Sequence, residues 1–255
     1  MFSDLRDKVV IVTGASMGIG MAIAERFVEE GSEVIDLSIN TPSNASYSHI
    51  ECDVTDPVQV RTSLGHIFEE YGSIGVLINN AGIESYGNIE KMSIEEWRTI
   101  INVNLFGYYH ASKFAIPYML KSRDPSIVNI SSAQASIITK NASAYVTSKH
   151  AIIGLTKSIA LDYGPALRCN AVCPGTIDTQ LVRKAAELEV GSDTNAIEKK
   201  IAEWGQEHPM QRIGEPREVA SAVAFLASKE ASFITGTCLY IDGGISIRSP
   251  ISTPE

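Results

Sequence analysis

Short runs dense in β-branched residues alternate along this chain with longer stretches in which apolar residues recur every three or four positions. Lys8-Val9-Val10-Ile11-Val12-Thr13 predicts a strand buried on both faces, and residues 18–30 predict a helix with Ala22, Ile23, Phe27 and Val28 on one side. Further strands are predicted at 33–38, 48–53, 75–78, 126–130, 168–172 and 237–241, with about six helices among the seven strands. Pro57 and Pro216 each fall at a first helical position, and Ser93 with Glu96 has capping-box spacing. Parallel strands need crossover connections, so strict alternation implies an α/β, doubly wound parallel sheet with helices on both faces. No repeat or linker divides residues 1–255, which predicts one domain. Residues 180–210, rich in Glu, Lys and small side chains, are the candidate for a mobile lid, and residues 245–255 form a Pro-containing tail.

Composition narrows the function classes. The formal charge of −9 and the absence of basic runs disfavour nucleic acid as a partner. No run approaches the roughly 18 to 20 apolar residues of a membrane span. Charges at Asp4, Arg6, Asp7 and Lys8 stand where a signal peptide needs an apolar stretch, so a cytoplasmic location is expected. Cys52, Cys169, Cys173 and Cys238 contain no Cys-x-x-Cys pair and read as core residues in a reducing compartment, with no metal expected.

Thr13-Gly14-Ala15-Ser16-Met17-Gly18-Ile19-Gly20 links the first predicted strand to the first helix. Glycines in such a turn let backbone N–H groups and the helix N-terminus approach a pyrophosphate. No Gly-Lys-Ser/Thr closes it, which excludes a nucleoside-triphosphate P-loop. Asp53-Val54, Asn79-Asn80-Ala81-Gly82, Asn104, Ser132, Tyr145 with Lys149, Pro174-Gly175 and Asp242-Gly243-Gly244 follow in order. In this combination, spread over nearly the whole chain, the sequence resembles the short-chain dehydrogenase/reductase family. The resemblance implies one Rossmann domain around a seven-stranded parallel sheet, in agreement with the periodicity.

Tyr-x-x-x-Lys alone is a weak signal, and the chain has two: Tyr109 with Lys113, and Tyr145 with Lys149. Only the second follows a strand ending in a serine, Ser132, at the edge where open α/β sheets bind ligands. Tyr109 and Lys113 are expected on a helix surface or subunit interface. Residues four apart share a helix face about 6 Å apart along the axis, so an ammonium can sit near the phenol. Free tyrosine is only about 0.1% phenolate at pH 7, and lowering its pKa by about three units takes roughly 4 kcal/mol. Lys149 and a positive nicotinamide ring can supply it. Tyr145 is then the general base in oxidation, Lys149 lowers its pKa, and Ser132 orients the reacting oxygen. By resemblance, Asn104 holds a water that extends a proton relay from Lys149.

The resemblance further implies a nicotinamide cofactor held by Gly14, Ser16, Met17, Gly18, Ile19 and Gly20 at the pyrophosphate. Asp53 and Val54 would lie at adenine, with Asn80, Ala81 and Gly82 beside the adenosine ribose. Pro174, Gly175, Ile177 and Thr179 would hold the carboxamide, and Tyr145 and Lys149 would flank the nicotinamide ribose. An acidic residue at the end of the second strand favours NAD. Ser38 occupies that position, with Asp36 two residues earlier and no Arg or Lys nearby, so NAD is preferred over NADP.

Glu84 completes Asn-Asn-Ala-Gly-x-Glu, a pattern that resembles bacterial glucose 1-dehydrogenases within the family. A carboxylate at a cleft mouth suits sugar hydroxyls. The expected reaction is oxidation of an aldohexose C1 hydroxyl to a lactone, with Glu84, Ser132, Gln134 and Tyr145 at the substrate and Thr139 and Asn141 as further polar contacts. An NADP-dependent 3-oxoacyl or other carbonyl reductase is the alternative, and a non-catalytic nucleotide-binding regulator a remote one. Family habit implies a homotetramer, with the tail reaching a partner's active site or fraying.

Overall fold

Every residue of Val9–Thr13, the first strand β1, is buried. In the computed structural model of the chain, which describes residues 2–43 and 45–248, β1 lies inside a seven-stranded sheet. The other strands are β2 Glu33–Ser38, β3 Ser48–Glu51, β4 Val76–Asn79, β5 Ser126–Ile130, β6 Arg168–Pro174 and β7 Cys238–Ile241. Their order is β3-β2-β1-β4-β5-β6-β7, and every neighbouring pair is parallel.

Period two sorts β1 between two cores, because successive side chains point to opposite faces. Val10 and Val12 join Ile23 and Phe27 of α1 (Gly18–Glu29) and Val219 and Val223 of α8 (Pro216–Ala227). Val9 and Ile11 join Val60, Leu64 and Ile67 of α2 (Pro57–Tyr71), Ala115 and Met119 of α4 (Gly107–Met119), and Ile159 of α5 (Ser143–Tyr163). A side chain as fully buried as Phe27 contributes about 1.5–3 kcal/mol. Chain direction across the sheet reverses between β1 and β4, which opens a crevice at the strands' C-terminal ends.

Local signals end the helices where the sequence places them. Asp56 accepts N–H bonds from Val58 and Gln59 ahead of α2, whose first residue is Pro57. Ser93 and Glu96 form a reciprocal capping box at α3 (Ile94–Ile101). The helix count is eight among the described residues rather than about six. The difference lies in the lid segment, which folds as α6 (Gln180–Val190) and α7 (Thr194–Gln206), and in α3 and α4, which run together through a π-helical turn at Asn102–Phe106. Lys200 pairs with Glu189 across the α6–α7 hairpin, and Arg183 pairs with Glu198 at 2.5 Å. Among the described residues no helix lies between β2 and β3. The tail begins with a single 3-10 turn, Ile245–Ile247, and residues 249–255 lie outside the described residues.

Candidate active site

The turn between β1 and α1 is fastened on several sides. Asp36 Oδ1 accepts the Ala15 N–H at 2.8 Å, and Asn80 Nδ2 donates to the carbonyls of Thr13 and Gly14 at 3.1 and 2.9 Å. Thr13 Oγ1 accepts from the N–H groups of Asn80 and Ala81 at 2.9 and 3.1 Å, tying β1 to the Asn-Asn-Ala-Gly segment. Gly14 holds φ at +70°, in the left-handed region, and a Cβ there would come within 2.9 Å of Ala81 Cα. A Cβ on Gly20 would lie 2.2 Å from Gly14 O. Met17 precedes α1 without a side-chain cap, so the first-turn N–H groups of Gly18, Ile19 and Gly20 suit an external anion. A cradle that no side chain can enter, at a positive helix end, fits a dinucleotide pyrophosphate.

The flanking segments converge on the same crevice. At the end of β2, Ser38 donates to Asp36 Oδ2 at 2.6 Å. Asp53 Oδ1 accepts from Thr55 N and Oγ1, both at 2.8 Å, and the Val54 carbonyl meets His110 Nδ1 at 3.0 Å. Pro174 closes β6, and the Gly175 N–H donates to Ile241 O at 3.0 Å. Ile177 bridges to Gly214, and Thr179 caps α6 with its methyl 3.5 Å from the site of a Gly18 Cβ.

One face of α5 presents Tyr145 and Lys149 to the tip of β5. Lys149 Nζ donates to Ile130 O at 3.0 Å and lies 5.4 Å from the Tyr145 ring centre. Ser131 Oγ donates to the Lys149 carbonyl at 2.8 Å, and Ser132 Oγ accepts from Gln134 N at 3.1 Å, so the Ser132 proton remains available. Burial pushes the Tyr145 phenol above the ordinary tyrosine range and the nearby Glu84 charge adds to this, while the Ser132 hydroxyl opposes it. Burial lowers Lys149 to about 8, against the opposing pull of Glu84 and Cys173. Below that pH the ammonium favours the phenolate.

Asn104 sits in the π turn, fully buried. Its Oδ1 accepts from Ile83 N at 2.9 Å, and its Nδ2 donates to Ile83 O at 2.9 Å and Ser148 Oγ at 3.1 Å. The side chain is thereby committed to positioning the loop after β4. A Cβ on Gly82 would lie 3.5 Å from Asn104 Oδ1 and 3.7 Å from Lys149 Nζ, so the glycine leaves a space between the two.

Glu84 faces this group. Burial raises its pKa, against the hydroxyl of Tyr86 and the ammonium of Lys149, which both lower it. Gln134 Oε1 is buried without a partner. Asn141 enters through its backbone, its carbonyl accepting from Gly87 N at 2.6 Å. Tyr109 and Lys113 hydrogen-bond each other at 3.1 Å on the exposed side of α4, apart from the site. Sequence reasoning passed over Tyr86, two residues beyond Glu84, and over Ser131, His49 and Tyr47. Only Tyr86 had a local signal, a phenol two residues from the carboxylate. Among the described residues no helix is long and apolar enough to cross a membrane, and no group of three or more His, Cys, Asp or Glu could hold a metal ion.

A glycine cradle at the switch point and a Ser-Tyr-Lys group beside it define a nicotinamide-dependent oxidoreductase fold. The chain belongs to the short-chain dehydrogenase/reductase family: residues 14–246 match the family model described as enoyl-(acyl carrier protein) reductase, within this family of NAD(P)-using enzymes. It is similar, at 82% identity, TM-score 0.99 and 100% coverage of both chains, to the ligand-free structure of Thermoplasma acidophilum aldohexose dehydrogenase. It is 36% identical over 255 residues to 3-oxoacyl-acyl-carrier-protein reductase FabG of Thermotoga maritima, covering 95% of this chain and 99% of the relative. Glucose 1-dehydrogenase 2 of Bacillus subtilis is 35% identical over 262 residues, with coverages of 97% and 98%.

Proposed function

We propose that this oxidoreductase removes hydride from the C1 hydroxyl-bearing carbon of an aldohexose, producing the lactone, with NAD as the preferred cofactor. The observation that carries the reading is the carboxylate of Glu84 in the electrostatic reach of Tyr145 and Lys149. Such a group accepts hydrogen bonds from sugar hydroxyls and would be left unsatisfied by an acyl chain. The likeness to aldohexose dehydrogenase supports it, while the likeness to FabG keeps NADP-linked carbonyl reduction as the second reading.

The bound nicotinamide supplies a hydride acceptor and, when oxidised, a positive charge beside the phenol. Gly14, Ser16, Met17, Gly18, Ile19 and Gly20 would hold its pyrophosphate, Ser38, Asp53, Val54 and Asn80 to Gly82 the adenosine, and Pro174, Gly175, Ile177 and Thr179 the carboxamide. Tyr145 Oη takes the C1 hydroxyl proton as that carbon loses hydride. Ser132 donates to the same oxygen and holds it against Tyr145. Lys149 keeps the phenolate accessible despite its burial, and Asn104 fixes the loop carrying Glu84 while bordering the space through which a proton can leave. Glu84 and Gln134 engage the remaining hydroxyls. The α6–α7 hairpin acts as the lid, and the assembly is a homotetramer.

The test is initial NADH formation with D-glucose, D-mannose and D-galactose, alongside NADPH oxidation with 3-oxoacyl thioesters. Aldohexose-dependent NADH formation is expected, and Tyr145→Phe should reduce it by roughly 10²–10⁴-fold with the fold intact. Silence on sugars with thioester reduction would establish the second reading instead.

A further inference from the structure

Lys149 carries a charge where few charges are tolerated: it is 4% exposed, and among the described residues its ammonium makes one hydrogen bond, to Ile130 O at 3.0 Å. An ammonium has three protons to place, and a buried cation short of acceptors gives up a proton instead. Burial accordingly lowers its pKa, and two elements face it with groups that pull the other way, the loop after β4 with Glu84 and β6 with Cys173. Neither is a standing counter-charge. Cys173 is held as a thiol, pushed up by its hydrogen bond with Cys238 and by burial, and burial also raises Glu84, which the proposed reaction commits to substrate.

What stands beside the ammonium instead is aromatic. Its Nζ lies 5.4 Å from the centre of the Tyr145 ring and 5.8 Å from that of Tyr108, both within the roughly 6 Å over which a ring face attracts a cation. The two rings differ in what the reaction asks of them. Tyr145 gains and loses charge. Tyr108, 1% exposed in the first turn of α4, donates its hydroxyl to the same Ile130 carbonyl at 3.0 Å, and burial pushes its pKa well above the ordinary tyrosine value, with the Tyr145 charge adding to this. Both lone pairs of that carbonyl are thus occupied, one by Lys149 and one by Tyr108, and the Tyr108 ring cannot turn away from the ammonium without breaking a buried hydrogen bond.

We infer that Tyr108 is a positioning residue: its hydroxyl anchors its ring on the Ile130 carbonyl, and the ring supplies a permanent face that steadies the Lys149 ammonium beside Tyr145 through the proton transfer. The inference rests on Tyr145 and Lys149 acting as proposed above, but the behaviour of Lys149 that it requires can be read without turnover.

The first measurement is made on cofactor-free, full-length protein by competitive acetylation against pH, read at the Lys149 peptide by mass spectrometry. Tyr108→Leu should release the Lys149 proton about one pH unit lower than native, a tenfold change in that equilibrium, and Tyr108→Phe, which keeps the ring, within about a third of a unit of native. The second follows kcat/KM across the same titration, with the nicotinamide nucleotide saturating and whichever of the aldohexoses or thioesters above turns over. The ratio of native to Tyr108→Leu should grow about tenfold from the acid side, where both proteins keep the ammonium, to the alkaline side. A packing defect alone would lower the rate equally at every pH, and Tyr108→Phe should show no such growth. If Tyr108→Leu does not fold, Tyr108→Phe with a fluorinated ring, which keeps the shape and withdraws the negative face, takes its place. A Lys149 titration unmoved by loss of the ring, or moved equally by Tyr108→Phe, would overturn the role of Tyr108. Native turnover surviving Tyr145→Phe would instead overturn the reading of the site.

Discussion

Burial raises the pKa of Glu84, against the opposing pull of the Tyr86 hydroxyl and the Lys149 ammonium. A carboxyl whose folded pKa exceeds its unfolded value destabilises the fold when ionised, above the folded pKa, and that penalty fades as pH falls through it. Two outcomes are expected of Glu84→Gln. The variant's thermal midpoint at pH 7 should be no lower than that of the native protein, and its KM for an aldohexose should rise about tenfold, equivalent to roughly 1.4 kcal/mol. Native KM should also climb on acidification as the carboxylate takes up a proton, a limb that kinetics on the glutamine variant should lack. Ser132, Tyr145 and Lys149 were legible because their relation is local: a strand tip, then two residues one helical turn apart. The partners of Asp36 were not, since Ala15, Ser38 and His49 reach it from the phosphate turn, its own strand and β3.

Among the elements, strands were read most closely because a strand buried on both faces has no competing interpretation at this length. The four-residue Val76–Asn79 and the seven-residue Arg168–Pro174 differ from expectation only at their ends. Residues 180–210 stand out in the sequence as a lid candidate by composition, and the helices α6 and α7 within them bury little, chiefly Ala186 in one and Ile201 and Gly205 in the other. Their stability comes from caps at Thr179 and Asp193 and from cross-hairpin ion pairs. The π turn had no sequence signal at all. It arises where α3 passes Asn104 into the core, and the extra residue per turn is a frequent device at functional sites. Asn104→Ala should therefore act twice. Losing the bonds to both polar groups of Ile83 and to Ser148 leaves buried donors and acceptors unpaired, costing about 1–3 kcal/mol in urea unfolding. Turnover should fall more than KM rises, because Glu84 loses its anchor and the border of the proton path is removed together; unchanged turnover and KM would place Asn104 outside the site.

At the scale of the molecule, the apolar surface is unevenly distributed. Phe106 and Tyr109 stand exposed at the start of α4, Leu161 is 84% exposed near the end of α5, and Phe233 is wholly exposed beside the edge strand β7. Scattered surface apolar residues need no explanation, but large ones on the two long helices, together with an unpaired sheet edge, are costs that association removes. Two separate faces, one helical and one at the β7 edge, suit two different two-fold contacts, and closing both gives a tetramer of D2 symmetry. Light scattering on the eluting protein should thus report about four times the 27.6 kDa chain mass. Tyr109→Glu combined with Leu161→Glu should place charges in the helical contact alone and shift the species to a dimer, leaving the β7 contact intact. A native protein that elutes as a monomer, or a double variant that stays tetrameric, would show that these helix faces are exposed for another reason.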